Sequence, residues 1–212
     1  MDISQIINRV IEVITNPKNA LKKMKDEKVS NKDILIYLAI VAFPTFLGVF
    51  IGYGFVGFGW IGGVGALALV LAIIEYILSI IGVVVFAYIL NALASNFKSK
   101  PDLMQSMKLV AASATPWLVA GIISIYPPAA LVALLGGLYG LYILYIGLPI
   151  LMETPQDQQV PYLIVGIVIY IIIMAVVWWA ASAIWGAMVW SAVESALGGY
   201  YGGGYPPSFP HL

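Results

Sequence analysis

Residues 61–94 read IGGVGALALVLAIIEYILSIIGVVVFAYILNALA, an apolar run of 34 residues that contains a single charged side chain, Glu75. A helix needs about 20 mostly apolar residues to cross the hydrocarbon core of a membrane. Only 9% of the 212 residues are charged and 62% are hydrophobic, whereas about a quarter of a soluble domain is charged. We therefore predict an integral membrane protein.

Four more segments of spanning length surround this run, and polar or Pro/Gly-rich breaks separate them. The five predicted transmembrane helices lie at about 34–53, within 61–94, at about 103–125, at about 129–152 and within 160–197. The glycine-rich stretch 52–59 is expected to be a loop, because glycine destabilises a helix. The predicted fold class is an all-α integral membrane protein, with five transmembrane helices preceded by an N-terminal amphipathic helix.

The basic residues predict the orientation of these helices. All ten Lys and Arg residues lie in two stretches, 9–32 and 98–108. Such residues are retained on the cytoplasmic side of a membrane, which predicts that the N-terminus is inside and the C-terminus outside. Lys108, inside the third span, is then expected to extend its side chain towards the inner boundary. The predicted organisation is a cytoplasmic segment 1–33, a five-helix domain 34–197 and an external Gly/Tyr/Pro-rich tail 198–212.

The N-terminal segment has the pattern of an amphipathic helix that Asn16-Pro17 ends. Its apolar residues recur at spacings of three and four, namely Ile3, Ile6, Ile7, Val10, Val13 and Ile14. Two interpretations are equally favoured: the segment lies on the inner leaflet with its lysines near anionic headgroups, or it packs against its own domain. The candidate lipid- or partner-binding residues are Lys18, Lys22, Lys23, Lys25 and Lys28.

Polar residues inside the spans are the other candidates. Glu75 is either a functional intramembrane carboxylate or, as we favour, an interfacial one that reaches outer water. Tyr139, Tyr142 and Tyr145 share one helix face, and their hydroxyls either line a polar cavity or bond to one another and to neighbouring backbone. The second interpretation is again favoured.

Proline and glycine residues are expected to shape the bundle. Pro116 and Pro149 fall inside predicted helices, where each removes a backbone hydrogen bond and should bend its helix. The pairs Gly48/Gly52 and Gly136/Gly140 match the G-x-x-x-G pattern, which allows close helix packing. We expect these contacts to be within one chain.

No catalytic or cofactor-binding pattern is recognisable. The chain has no Cys, its single His is His211, and its formal net charge is zero. It contains no Ser-His-Asp set, no H-E-x-x-H and no Walker loop. We therefore predict a protein that is not an enzyme, with no cofactor, no metal site and no nucleic-acid partner.

Residues 139–162, YGLYILYIGLPILMETPQDQQVPY, resemble the prokaryotic branch of the Yip-domain (Ypt-interacting protein) family of polytopic membrane proteins. Residues 14–18, ITNPK, are similar to the family's N-terminal Asn-Pro turn, and residues 114–117, ATPW, to its third-span Thr-Pro-aromatic element. The resemblance covers about residues 1–190. It implies five transmembrane helices and a cytoplasmic N-terminal region in a prokaryotic plasma membrane. Eukaryotic members bind small GTPases, but their Asp-Leu-x-Gly-Pro element is missing here, so a GTPase is not an expected partner.

Two functions of different classes follow from these observations. The first is a non-enzymatic protein that organises membrane lipids or partner proteins, in a scaffold or trafficking-like role. Its expected partners are lipids, further copies of itself or other membrane proteins, including a larger complex of which it is an accessory subunit. The alternative is a small transporter or channel that uses Glu75 and the Tyr- and Pro-containing helices, and it predicts a polar cavity beside them.

Overall fold

The computed structural model describes residues 2–57 and 65–201, so most of the predicted external tail, residues 202–212, lies outside the described residues. The described residues form helices and no strand. Seven α-helices follow one another: α1 (Ile3–Thr15), α2 (Pro17–Asp26), α3 (Asn31–Ile51), α4 (Ala66–Leu93), α5 (Leu103–Ala120), α6 (Ala133–Leu151) and α7 (Gln156–Tyr201). Shorter 3-10 segments occupy Ala94–Phe97, Gly121–Ile125 and Pro127–Val132.

Within the described ranges, five helices are long and apolar enough to cross a membrane, namely those that contain α3, α4, α5, α6 and α7. The predicted all-α membrane fold with five spans is therefore confirmed. The two long apolar segments are long helices: α7 has 46 residues, about 69 Å along its axis, against a hydrocarbon core of about 30 Å.

The start of the glycine-rich stretch differs from its prediction. Gly52–Val56 is not a loop but a π-helical turn that continues α3. Tertiary packing explains the difference, because a Cβ atom on Gly52 would lie 2.0 Å from the carbonyl oxygen of Ser124. Glycine at this position lets two backbones touch, and that contact outweighs its low helix propensity.

Both G-x-x-x-G pairs make contacts within the chain, as expected. A Cβ atom on Gly48 would lie 2.2 Å from the Gly121 carbonyl oxygen, which shows how closely α3 approaches the end of the third span. Gly136 and Gly140 bring α6 similarly close to α5. A Cβ atom on Gly136 would lie 2.7 Å from the Pro116 carbonyl oxygen, and one on Gly140 would lie 2.3 Å from the Ser113 carbonyl oxygen. Small residues therefore set the spacing of the central helices.

Hydroxyl groups also join the helices. Each of these groups bonds to a neighbouring helix: Tyr76 to the Ala39 carbonyl at 2.7 Å, Thr45 to the Leu118 carbonyl at 2.7 Å, Ser106 to the Ala87 carbonyl at 2.7 Å, Tyr162 to the Leu90 carbonyl, and Tyr37 to the Thr115 hydroxyl at 2.7 Å. Such bonds hold membrane helices together, because the lipid offers these groups no other partner.

One end of the bundle carries most of the charges. We call it the lysine end: it is where α3, α5 and α7 begin and where α4 and α6 end. Lys98 and Lys100 lie between α4 and α5 at this end, where Lys98 pairs with Asp157 at 3.3 Å. Apart from Lys108, the remaining Lys and Arg residues lie in α1, in α2 or between α2 and the first turn of α3. This arrangement agrees with an interior lysine end, which stays a prediction.

The orientation can be tested in a chain that has no native Cys. A Lys28→Cys variant should resist a membrane-impermeant maleimide in intact cells and react after permeabilisation, because it would lie inside. A Ser208→Cys variant should react in intact cells. Gel-shift labelling measures both, and the reverse pattern would show an exterior N-terminus.

The glycine contact between α5 and α6 predicts a stability effect. Gly140→Ala places a methyl group against the Ser113 carbonyl and should cost about 1–3 kcal/mol, lowering the thermal unfolding temperature in detergent. Gly186→Ala in α7 is the control, since a Cβ atom there meets nothing within 4 Å. An unchanged unfolding temperature for Gly140→Ala would contradict the close contact.

Candidate functional site

The first 30 residues form a helical hairpin that packs against the bundle. Asp2 begins α1 with a capping box that includes Gln5. Asn16 ends α1 and also caps α2, its side chain accepting a hydrogen bond from the Asn19 amide at 3.4 Å, while Pro17 occupies the first turn of α2. The Asn16-Pro17 pair therefore produces the reversal between the two helices. We call α1 and α2 together the hairpin.

The hairpin buries one face against α5 and α6. The buried side chains are Ile6 and Val13 of α1 and Pro17, Ala20, Leu21 and Met24 of α2. The Tyr139 hydroxyl donates to the Ile14 carbonyl at 2.7 Å, and Tyr139 lies twelve residues, about 18 Å, from the Leu151 end of α6. The hairpin therefore runs along α6 and packs against its own domain, as one of the two interpretations predicted, while contact with the inner leaflet, which is compatible with this packing, stays a prediction.

Lys108 holds the end of the hairpin. Its side chain is buried, with 4% of the residue exposed, and its ammonium group donates to the carbonyls of Met24 at 2.7 Å and Glu27 at 2.8 Å. The last carbonyls of a helix lack intrahelical partners and carry the negative end of its dipole. Lys108 thus caps α2. The expectation that it extends towards the inner boundary stays a prediction, and the structure adds that backbone carbonyls of residues just before α3 satisfy its charge.

Two further contacts surround this cap. The Gln105 side chain donates to the Lys25 carbonyl at 3.0 Å. Arg9 of α1 pairs with Glu27, the residue that follows α2, at 2.5 Å and is largely buried. One cation from α5 and one from α1 therefore meet the C-terminal end of α2, and both helices of the hairpin are tied to the bundle at this point.

The five candidate lysines fall into two groups. Lys23 pairs with Glu12 at 2.5 Å, and Lys25 pairs with Glu153 of the α6–α7 loop at 3.2 Å. Lys18, Lys22 and Lys28 are exposed and make no ion pair with any residue that the structure describes. Lys18 and Lys22 are the unpaired cations that the hairpin presents outward, and Lys28 lies in the short segment between the hairpin and α3.

The hairpin also exposes an apolar stripe. Ile3, Ile7 and Ile11 recur every fourth residue of α1, and each is more than half exposed. A helix that exposes large apolar side chains is typical of the interface between acyl chains and headgroups, and the exposed lysines Lys18 and Lys22 lie on the other helix of the hairpin, α2. The apolar residues of α1 therefore divide between a face that packs on the bundle and a face that is exposed. The spacing pattern in the sequence predicted a single apolar face and did not separate these two.

The intramembrane candidates do not come together. Glu75 is half-buried on α4, within electrostatic range of Tyr53. Tyr139 bonds to the hairpin as described, in keeping with the favoured interpretation of backbone bonding, and its ring lies 5.7 Å from that of Tyr142. Tyr142 and Tyr145 are exposed. The structure places Pro116 and Pro149 inside α5 and α6, and the bend at each stays a prediction.

A cavity of about 570 Å³ lies among α4, α5, α6 and α7. Its lining includes Phe86, Trp117 and Tyr170 and contains no Asp, Glu, Lys or Arg. Neither Glu75 nor any of the three candidate tyrosines contributes to it. These four helices therefore surround an apolar cavity and not the polar one that the transporter hypothesis requires.

Sequence reasoning missed the cluster formed by Lys108, Arg9 and Glu27. One signal was available: Lys108 is the only Lys or Arg in the apolar part of a predicted span. A lysine in such a position requires a partner. The partner could not be identified from the sequence, because it is a set of backbone carbonyls about 80 residues away.

Comparison with known proteins gives one family and a pair of relatives. The family model described as the Yip1 domain matches residues 11–179. The chain is 26% identical over 162 residues to the "Inner membrane protein YohC" of Escherichia coli strain K12 and, equally, of strain O6:H1, which covers 72% of this chain and 80% of each relative. No solved structure matches the chain.

The cap on α2 predicts how the hairpin is held. Lys108→Met leaves buried carbonyls without a donor, which costs about 1–3 kcal/mol, and it should loosen the hairpin more than the transmembrane helices. Hydrogen–deuterium exchange in residues 3–26 should rise. Lys100→Met, which removes an exposed lysine just before α5, is the control. If exchange in the hairpin is the same in both variants, Lys108 does not hold it.

Proposed function

The chain belongs to the Yip1 domain family, and on that premise we propose that it organises anionic membrane lipids through its N-terminal hairpin, without catalysing a reaction. It is a multi-pass integral protein of the prokaryotic plasma membrane, as its five spanning helices and its inner membrane relatives indicate. The relatives are named as inner membrane proteins, and neither their name nor the family description is that of an enzyme.

The observation that carries the proposal is the exposed surface of the hairpin. Ile3, Ile7 and Ile11 offer an apolar surface to acyl chains, while Lys18 and Lys22 offer ammonium groups to phosphates. Each lysine near an anionic membrane surface contributes about 1 kcal/mol. The apolar surface lies on α1 and the lysines lie on α2, so the hairpin as a whole suits a lipid with a negative headgroup.

The attachment of the hairpin to the bundle supports a role in arranging lipids. Lys108 and Arg9 hold the C-terminal end of α2, and Tyr139 holds the end of α1. A binding surface that is already ordered loses little conformational entropy when it binds. The exposed lysines would therefore hold headgroups at a fixed distance from the transmembrane helices.

No observation favours the transporter or channel alternative. It requires polar groups around a shared path, whereas Glu75 and the candidate tyrosines lie apart and the cavity described above is apolar. The hairpin surface also suits an acidic partner protein, and the experiment below separates that possibility from lipid binding.

The test replaces the three unpaired lysines together. Lys18→Gln/Lys22→Gln/Lys28→Gln should reduce the amount of phosphatidylglycerol that stays bound relative to phosphatidylcholine, measured by native mass spectrometry of protein released from nanodiscs containing both lipids. The loss should exceed tenfold, since three lysines at about 1 kcal/mol each contribute about 3 kcal/mol and about 1.4 kcal/mol corresponds to tenfold.

The matched control is Lys98→Gln/Lys100→Gln, which removes two lysines from the same end of the bundle but outside the hairpin. It should change lipid retention little. Equal phosphatidylglycerol retention in the triple variant and the wild-type protein would reject lipid organisation by the hairpin and leave an acidic protein partner as the explanation of its charge.

A further inference from the structure

We propose that the cavity among α4, α5, α6 and α7 is a binding site for one acyl chain of a membrane lipid. This inference is independent of the proposed function, which concerns headgroups at the hairpin. The cavity volume of about 570 Å³ lies within the range of about 300–1,000 Å³ that is usual for small-molecule sites.

The side chains that line the cavity favour a hydrocarbon chain as the ligand. Its wall includes the rings of Phe86 on α4 and Tyr170 on α7, whose centroids lie 5.4 Å apart. The ring of Trp117 on α5 also lines the cavity. Ser113 is the one aliphatic hydroxyl in the lining, and it already donates to the Val110 carbonyl at 2.9 Å. A polar solute would lose its hydration here without an ionic partner, whereas an alkyl chain would not.

The depth of the cavity matches the reach of an acyl chain. On α6 the lining runs from Leu134 to Leu144, ten residues or about 15 Å along the helix. That is half of a hydrocarbon core of about 30 Å, the thickness of one leaflet. Leu144 lies seven residues before the end of α6 at Leu151, so the cavity lies among the spanning helices and away from the charged end.

The cavity opens sideways between α6 and α7. Leu138 of α6 and Ile171 of α7 both line it and are 64% and 60% exposed, so they form its mouth towards the lipid. Near the lysine end the two helices are joined by a hydrogen bond from the Gln159 side chain to the Tyr145 carbonyl at 2.7 Å. An acyl chain of the surrounding bilayer can therefore enter without passing through water.

A helix from a second copy suits this mouth less well. Membrane helices pack closely where small residues meet, but the side chains at the mouth are large. The small residues of α6 face α5 instead: Gly140 lies against the Ser113 carbonyl, and Gly137 lies against the ring of Trp117. A flexible chain fits between branched side chains more easily than a helix about 10 Å wide.

A photoreactive lipid tests the site. The protein is reconstituted in vesicles of phosphatidylcholine in which a fraction carries a diazirine midway along one acyl chain, and the headgroup is neutral so that the hairpin lysines do not decide the outcome. After irradiation, mass spectrometry of peptides should find severalfold more lipid on Trp117 and Tyr170 than on Phe43, an exposed side chain of α3. Equal labelling of these residues would overturn the proposal.

Two matched variants show whether the labelling depends on the cavity. Ala114→Phe fills it and should remove most of the labelling of Tyr170, whereas Val168→Phe adds the same ring to an exposed position of α7 outside the lining and should not. If Ala114→Phe does not fold, Leu138→Trp at the mouth replaces it. Labelling that persists in the folded cavity variant overturns the site, as do disulfide-linked dimers of Leu138→Cys, which would identify a second copy as the occupant.

Discussion

The ammonium group of Lys108 on the last carbonyls of α2 is the contact on which the rest of the hairpin depends. A lysine inside an apolar helix is costly unless it finds acceptors, and the end of a helix has acceptors without donors. The carbonyls give the lysine its acceptors and the ammonium group gives the carbonyls a donor, so neither is buried without a hydrogen-bond partner. Because the cap fixes the end of α2, Arg9 and Glu27 can pair beside it, while Lys18 and Lys22 of α2 stay exposed.

Elsewhere the bundle is built from close backbone contacts and hydroxyl bonds. Lipid provides no hydrophobic force between helices, so their association depends on packing and on polar groups that lack other partners. Gly48 and Gly140 supply the packing, and Tyr37 and Ser106 supply such bonds. The space that α4, α5, α6 and α7 leave among them is the apolar cavity.

Much of the fold was predictable, because the signals are local. Apolar length predicts a span, proline and polar residues predict its end, and the extended backbone of Tyr126 before Pro127 follows from proline sterics. The π-helical turn at Gly52–Val56 was not predictable, since it depends on the backbone of Ser124. The candidate lysines were visible as a group, but their division into paired and unpaired residues depends on Glu12 and Glu153, whose positions come from the folded chain.

The sequence by itself determined the membrane class, the number of spans and the family, because hydropathy, breaks and motif spacing act over short stretches of chain. Only the tertiary structure decided what Lys108 and Tyr139 do, since their partners are the carbonyls of Met24, Glu27 and Ile14. Every residue carries a carbonyl, so no side-chain pattern marks it as a partner. Which carbonyls stay unpaired, and which cation reaches them, is settled only when helices distant in the chain pack together.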